Sequence, residues 1–136
     1  MYRLSIPFLI IVVDYLNLYL IFAKNKNMNS QLITILGPTA SGKTGLSLVL
    51  AQQFNGEIIS ADSMQIYREM NVGTAKPTAD ELAAVPHRLI DICEPTQSFS
   101  VYDYKKMAEE EIEKAFAQGF LPIIAGGTGL YFDALF

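Results

Sequence analysis

The stretch Leu32-Ile33-Thr34-Ile35-Leu36-Gly37-Pro38-Thr39-Ala40-Ser41-Gly42-Lys43-Thr44 decides the fold of this chain. Its second part has the spacing G-x-x-x-x-G-K-[ST] of a phosphate-binding loop, or P-loop. Glycines at these positions let backbone N–H groups turn toward an anion, the lysine places a charge on the outer phosphates, and the threonine hydroxyl can bind Mg²⁺. The stretch therefore predicts a di- or triphosphate site at residues 37–44, with Mg²⁺ as cofactor and Thr44 as its ligand.

The residues on either side of the loop supply the context that a P-loop requires. Leu32 to Leu36 is a short apolar run, typical of a buried parallel strand. From Lys43 to Phe54 the apolar residues recur at helical spacing, and Asn55-Gly56 is a C-cap signal. Glu57 to Ser60 then predicts a second strand. Together these segments predict a βαβ unit around the loop.

The remainder of the chain continues the alternation. We expect an irregular stretch at 61–87 with a turn of helix around Met64–Met70, and then the elements strand 88–92, helix 101–118 opened by a Ser100/Asp103 capping box, strand 121–125 and a glycine turn at 126–129. Strands that alternate with helices predict an α/β fold with a parallel sheet flanked by helices, similar to P-loop NTPases. We expect this domain to span residues 28–136.

Composition narrows the class of protein. The length of 136 residues suits one domain, and the single cysteine, Cys93, cannot form an intrachain disulfide. A reducing compartment, and hence a cytoplasmic location, is the expectation. The net charge is −4. Because residues 1–27 carry three basic side chains against one Asp, the rest of the chain has a net charge of −6. This negative charge is unfavourable for binding nucleic acid.

The first 27 residues form an apolar extension that we treat separately from the domain. Leu4 to Ala23 is long enough for a membrane span, but Asp14 opposes insertion. A secretory signal is a second interpretation, although no small-x-small cleavage site precedes Met28. A third is that Met28 is the true start. We expect a membrane association only if residues 1–27 belong to the mature protein.

Polar residues follow two of the expected strands, where they would share an edge of the sheet with the P-loop. Asp62 and Ser63 come directly after the strand that ends at Ser60. Asp62 could act as a general base or assist a metal, or it could simply cap the turn at Met64. Thr128 lies in the glycine turn and could contact a substrate. Lys76 could meet a phosphate, although a solvated position is the more common fate of one lysine.

Five segments in order carry a resemblance to a known family: Gly37–Thr44, Ile59–Tyr67, Gly73–Pro77, Pro86–Asp91 and Gly126–Tyr131. Together they resemble the tRNA dimethylallyltransferase (tRNA isopentenyltransferase) family over residues 28–136. The resemblance implies transfer of a dimethylallyl group from dimethylallyl diphosphate to N6 of the adenosine 3′-adjacent to the anticodon in tRNA. Diphosphate is released, so the P-loop would stabilise a leaving group and no phosphoryl group would move.

The resemblance also assigns roles to residues. It implies that Asp62 is the catalytic base and that Thr39 lies near the reacting carbon. It assigns diphosphate binding to the residues of the P-loop, namely Gly37, Pro38, Thr39, Ala40, Ser41, Gly42, Lys43 and Thr44. It assigns contacts with tRNA to Asp62, Ser63, Met64, Gln65 and Thr128. His87 has no Ser, Cys or second His at a suggestive spacing, so we expect it to be a structural or surface histidine.

The chain departs from the family pattern in length. Family members are usually more than twice as long, and their anticodon-gripping insertion and a later Gln/Arg-rich motif have no counterpart here. We therefore interpret the chain as an N-terminal fragment, expected to be monomeric and of doubtful activity alone. Two other enzyme classes stay open at this point: an adenylate isopentenyltransferase that makes cytokinin, and a P-loop small-molecule kinase that uses ATP.

Overall fold

The computed structural model describes residues 13–15, 18–25, 30–38, 42–69 and 76–135. Strands and helices alternate after residue 30, as the sequence predicts. In chain order the elements are β1 (Val13–Tyr15), β2 (Leu18–Asn25), β3 (Ser30–Leu36), α1 (Lys43–Phe54), β4 (Gly56–Ser60), α2 (Ala79–Ala84), β5 (His87–Arg88), α3 (Val101–Ala117), β6 (Leu121–Gly126) and α4 (Gly129–Leu135).

The strands form one sheet in the order β1-β2-β3-β6-β4-β5. The four strands β3, β6, β4 and β5 run parallel, which confirms the α/β class with a parallel sheet flanked by helices. Strand β6 lies between β3 and β4, so the crossover through α1 spans a strand that comes much later in the chain. Ile123 of β6 is in register with Ile33 on one side and Ile58 on the other.

Each face of the parallel strands has its own apolar core, because successive side chains of a strand point to opposite faces. Ile33, Ile58 and Ile123 pack with Ala51 of α1 on one face. On the other, side chains from β3, β4 and β6 pack under α3 and α4. Burial of one isoleucine side chain to this extent contributes about 1.5 to 3 kcal/mol to the stability of the fold. Both cores therefore fix the carboxyl ends of the strands, where the candidate site lies.

The helix ends follow the local signals in the sequence. Helix α1 ends at Phe54, and Asn55 has the left-handed φ of 52° expected of a C-cap. Helix α3 opens with the predicted capping box, in which Ser100 Oγ accepts from the Asp103 backbone N–H and the Asp103 side chain accepts from Ser100 N–H. This hydrogen bond from the Ser100 backbone holds the pKa of Asp103 below its usual value.

Two local predictions were wrong, and one helix was missed. The strand expected at 88–92 ends at Arg88, because Leu89 and Asp91 have positive φ values of 61° and 55° that leave the extended region. Residues 63–66 form a turn and not a turn of helix. Helix α2 was not predicted, although Thr78 caps it by accepting from Glu81 N–H. The sequence signal was present, since Thr-x-x-Glu is a capping box pattern.

Part of the N-terminal extension pairs with the domain. β1 and β2 form an antiparallel hairpin, and β2 pairs with β3 from Tyr19↔Leu36 to Asn25↔Ser30. The extension therefore contributes to the sheet, whereas the sequence argument left it out of the fold. Among the described residues, no helix is long and apolar enough to cross a bilayer. A domain boundary at residue 28 stays a prediction.

Tyr104 connects the core under α3 and α4 to the end of β4, next to the candidate site. Its ring is fully buried and stacks on Tyr131 at a centroid distance of 3.9 Å, and its hydroxyl donates to the Ser60 carbonyl oxygen at 2.9 Å. Burial raises the pKa of both tyrosines, that of Tyr131 to about 12. We expect Tyr104→Phe to lower the free energy of unfolding by about 1 to 2 kcal/mol, because a buried carbonyl loses its donor. Urea unfolding measures this change.

The matched control is Tyr102→Phe on the same helix, where the side chain is 73% exposed. It should leave the urea midpoint unchanged. Equal midpoints for all three proteins would contradict a stabilising role for the buried hydroxyl.

Candidate active site

The P-loop leaves the sheet at the end of β3, beside the end of β6. Gly37 N–H donates to the Gly126 carbonyl oxygen at 3.2 Å, and Gly42 has a φ of 89° at the N-cap of α1. Only glycine adopts this φ at little cost. Lys43 and Thr44 therefore occupy the first turn of α1, where helix N–H groups favour an anion. Thr39, Ala40 and Ser41 lie outside the described residues.

Lys43 is a buried lysine at the C-terminal end of the P-loop, where α1 begins. The residue is 9% exposed, and its Nζ donates to the Pro38 carbonyl oxygen at 3.1 Å. Burial lowers the pKa of Lys43 below its usual value, and the charge of Asp62 acts in the opposite direction. A desolvated ammonium group of this kind gains much from an anionic ligand. The P-loop lysine and Asp62 are thus close enough to interact electrostatically.

Asp62 follows β4 and fixes the turn after it. Its Oδ1 accepts from the backbone N–H groups of Met64 at 2.9 Å and Gln65 at 3.3 Å. The capping interpretation is therefore correct as a description of Oδ1. Among the described residues Oδ2 has no hydrogen-bond partner, so the same carboxylate can cap the turn with one oxygen and accept a proton with the other.

Thr128 links the two turns at this edge of the sheet. Its Oγ1 accepts from Ser63 N–H at 3.0 Å and donates to Ser63 Oγ at 3.3 Å. Its own N–H donates to the Ala61 carbonyl oxygen at 3.1 Å. The structure thus brings Asp62, Ser63 and Thr128 together as the sequence predicts, and it gives Thr128 a contact within the protein that the sequence did not reveal.

Beside Lys43 lies a small cleft that opens to solvent. Its lining is partly apolar, with side chains that include Ile58, Pro77 and Ile90. The polar lining includes Lys43, Thr44, Ser60, Gln65 and His87. Ser60 is 3% exposed and its Oγ donates to Gln65 Oε1 at 3.1 Å. Asp62 lies in the chain between these two lining residues.

Sequence reasoning missed several residues of this cleft. His87 was expected to be structural or on the surface; its Nδ1 lies 2.8 Å from the Val85 carbonyl oxygen, yet it also lines the cleft. Ser60 and Ile90 were not singled out. A polar residue at the last position of a buried strand was the available signal for Ser60, whereas Ile90 reaches the cleft only through the turn after β5. Met64 is 45% exposed and does not line the cleft.

With this geometry established, comparison with known proteins decides the family. The family model described as "IPP transferase" matches residues 65–136, just over half of the chain. The chain belongs to the IPP transferase family. The resemblance seen in the five sequence segments is thereby confirmed.

Curated and solved proteins agree with this assignment. The tRNA dimethylallyltransferase of Streptococcus mutans is 56% identical over 108 residues, which are 79% of this chain and 37% of that protein. The full-length tRNA isopentenylpyrophosphate transferase of Bacillus halodurans is 54% identical with a TM-score of 0.71, over 74% of this chain and 33% of that one. A eukaryotic dimethylallyltransferase, described as acting on tRNA, is 35% identical with a TM-score of 0.71, over 74% and 25%.

This IPP transferase chain therefore spans about a third of the length of the curated relatives that it matches. The described residues of the site lie on α1, β4, β5 and β6 and on the turns that follow β3, β4, β5 and β6.

Proposed function

We propose that the protein transfers a dimethylallyl group from dimethylallyl diphosphate to N6 of the adenosine 3′-adjacent to the anticodon in tRNA. The observation that carries the proposal is that a P-loop lysine and a turn-capping aspartate with an available oxygen lie at one edge of the sheet. A phosphate clamp beside a base suits a reaction in which diphosphate leaves as a proton is removed. The names of the relatives support this reaction class.

The donor would lie along the P-loop and the cleft. Its diphosphate would be held by the residues of the loop, namely Gly37, Pro38, Thr39, Ala40, Ser41, Gly42, Lys43 and Thr44. Its five-carbon chain would contact the apolar residues of the cleft, which include Ile58, Pro77 and Ile90. As the C1–O bond breaks, its electron pair goes to the diphosphate, and the positive charge of Lys43 stabilises the negative charge that develops there.

The acceptor would approach from the side of Asp62. The N6 lone pair forms the new bond to C1, and the N6 proton passes to Asp62 Oδ2. Thr39 would lie near the reacting carbon, and Asp62, Ser63, Met64, Gln65 and Thr128 would contact the tRNA. Since N6 lies inside the anticodon stack, the adenine must turn out of it to reach this carboxylate.

Mg²⁺ fits the residues at the loop. Among the described residues, no three His, Cys, Asp or Glu side chains cluster as a metal site. Mg²⁺ needs no such cluster, because it prefers oxygen ligands and commonly takes one or two from the protein and the rest from phosphates and water. The exposed Thr44, in the first turn of α1, would supply its hydroxyl oxygen. Bound there, the ion would neutralise charge on the leaving diphosphate.

The test uses radiolabelled dimethylallyl diphosphate, unmodified tRNA and two proteins. One is the chain itself, and the other is the chain joined to the part of the Streptococcus mutans relative that it does not cover. We expect label in tRNA with the joined protein. Label in AMP would indicate an adenylate isopentenyltransferase, and ATP consumption with a small alcohol would indicate a kinase; either result without tRNA labelling would overturn the proposal.

Replacement of Lys43 tests the donor site directly. We expect Lys43→Met to raise the dissociation constant of dimethylallyl diphosphate by about 10- to 100-fold, because a charge-assisted contact to the diphosphate is lost. Isothermal titration calorimetry measures it. The control is Lys106→Met on the exposed face of α3, which should bind as the unsubstituted chain does; equal weakening by both changes would show only a loss of overall positive charge.

A further inference from the structure

Lys76 is held by two parts of the chain beside the cleft. Its side chain is 8% exposed, and Nζ donates to the Tyr67 carbonyl oxygen at 2.6 Å and to Asp91 Oδ1 at 2.5 Å. A lysine is buried to this extent only when partners replace its water. Lys76 is thus part of the protein framework, whereas the sequence suggested a phosphate contact or a solvated position.

Each partner of the ion pair is joined by a peptide bond to a wall of the cleft. Lys76 precedes Pro77, and Asp91 follows Ile90; Pro77 and Ile90 both line the cleft. The Asp91 backbone is also fixed, since its N–H donates to the Gln65 carbonyl oxygen at 3.0 Å. The ion pair therefore ties together the two chain segments that supply Pro77 and Ile90 to the lining of the cleft.

The turn after β5 makes this arrangement possible. Leu89 and Asp91 both have positive φ values, and Leu89 is buried in the core below α3 at 3% exposure. Leu89 lies in that core, whereas the next residue, Ile90, lines the cleft. Left-handed backbone at a leucine persists only where its surroundings enforce it, and the Lys76 contact to Asp91 is part of those surroundings.

We infer that Lys76 and Asp91 are positioning residues for donor binding: their ion pair sets the separation of Pro77 and Ile90, and hence how closely the cleft holds a five-carbon chain. This inference rests on the proposed function for the identity of the donor. The physical reason is that dispersion contacts weaken steeply when a wall moves by even 0.5 to 1 Å. The diphosphate, held by the P-loop, would not sense this movement.

A second ion pair provides a matched control. Arg68 and Glu94 also join these two parts of the chain, but their side chains are 51% and 53% exposed and neither lines the cleft. Asp91→Asn and Glu94→Gln are equivalent acid-to-amide changes. Asparagine tolerates the left-handed backbone at position 91, and urea unfolding checks that each variant is folded.

The experiment measures the affinity of the 136-residue chain for dimethylallyl diphosphate and for inorganic diphosphate, both with Mg²⁺, by isothermal titration calorimetry. We expect Asp91→Asn to raise the dissociation constant of dimethylallyl diphosphate by about tenfold and that of inorganic diphosphate by less than about twofold. Glu94→Gln should change neither dissociation constant. Lys76→Met should weaken binding of dimethylallyl diphosphate at least as much as Asp91→Asn, because it also removes the hydrogen bond to the Tyr67 carbonyl oxygen. The double variant should bind no more weakly than Lys76→Met, because the ion pair is already lost in that single variant.

Each other outcome has a defined meaning. Equal weakening of the two ligands, or equal effects of Asp91→Asn and Glu94→Gln, would overturn the inference while leaving the proposed function intact. Unfolding of both Asp91→Asn and Lys76→Met would show that the pair supports the whole fold and would also overturn a local role. If the unsubstituted chain does not prefer dimethylallyl diphosphate over diphosphate, the proposed donor is wrong, and the inference fails with it.

Discussion

We expect Asp62→Asn to lower the rate of dimethylallyl transfer to tRNA by about 10²- to 10⁴-fold, the range for loss of a general base. The amide oxygen of asparagine can still accept from Met64 and Gln65 N–H, so the turn after β4 is retained. The amide cannot take the N6 proton. Single-turnover rates with the joined protein measure the effect.

Asp62→Ala separates the two roles of this carboxylate. It removes both the base and the cap, so transfer should fall as far as in Asp62→Asn, with an additional loss of about 1 kcal/mol in the free energy of unfolding. Binding of dimethylallyl diphosphate should stay close to that of the unsubstituted protein. If Asp62→Asn transfers at the normal rate while Asp62→Ala does not, the residue is a structural cap and another group is the base.

Gly126→Ala should lower the free energy of unfolding by about 3 kcal/mol or more, at the upper end of the range for overpacking. A Cβ at position 126 would lie 2.2 Å from the carbonyl oxygen and 2.4 Å from the carbonyl carbon of Ala61. Because both are backbone atoms, strands β4 and β6 would have to separate. The hydrogen bond from Thr128 N–H to the Ala61 oxygen would be disturbed with them. Urea unfolding of the 136-residue chain measures the loss.

The control for this prediction lies three residues later. A Cβ at Gly129, the first residue of α4, would have no neighbour within 4 Å. Gly129→Ala should be neutral or stabilise the protein by up to about 1 kcal/mol, since alanine favours a helix. A loss in Gly126→Ala no greater than the change in Gly129→Ala would mean that the two strands can adjust without cost.

Local signals in the sequence predicted much of the site. The P-loop pattern located Lys43 and Thr44 at the start of α1, and alternating apolar runs located the buried strands. The Ser100/Asp103 capping box was predicted and is present. These features depend on residues within a few positions of one another, which is why the sequence alone suffices. The short helix α2 had a comparable signal at Thr78 and was overlooked.

Contacts between distant residues were beyond such reasoning. The insertion of β6 between β3 and β4 brings Thr128 onto Ser63 and Gly126 onto Ala61, across more than 60 residues of sequence. Strand order depends on which apolar faces can be buried together, and no local pattern encodes it. The pairing of β2 with β3 is a further case, since an apolar run predicts that a segment is buried but does not indicate which strand it pairs with.

The sequence by itself determined the phosphate-binding loop, the α/β class and the identity of the residues at the strand ends. Only the tertiary structure decided that Asp62 caps its own turn with one oxygen, that Lys76 pairs with Asp91, and that Ile90 and Pro77 face the same cleft. The physical reason is that a residue type limits which interactions are possible, whereas the partner that satisfies a buried charge or fills a cleft is chosen when the whole sheet packs.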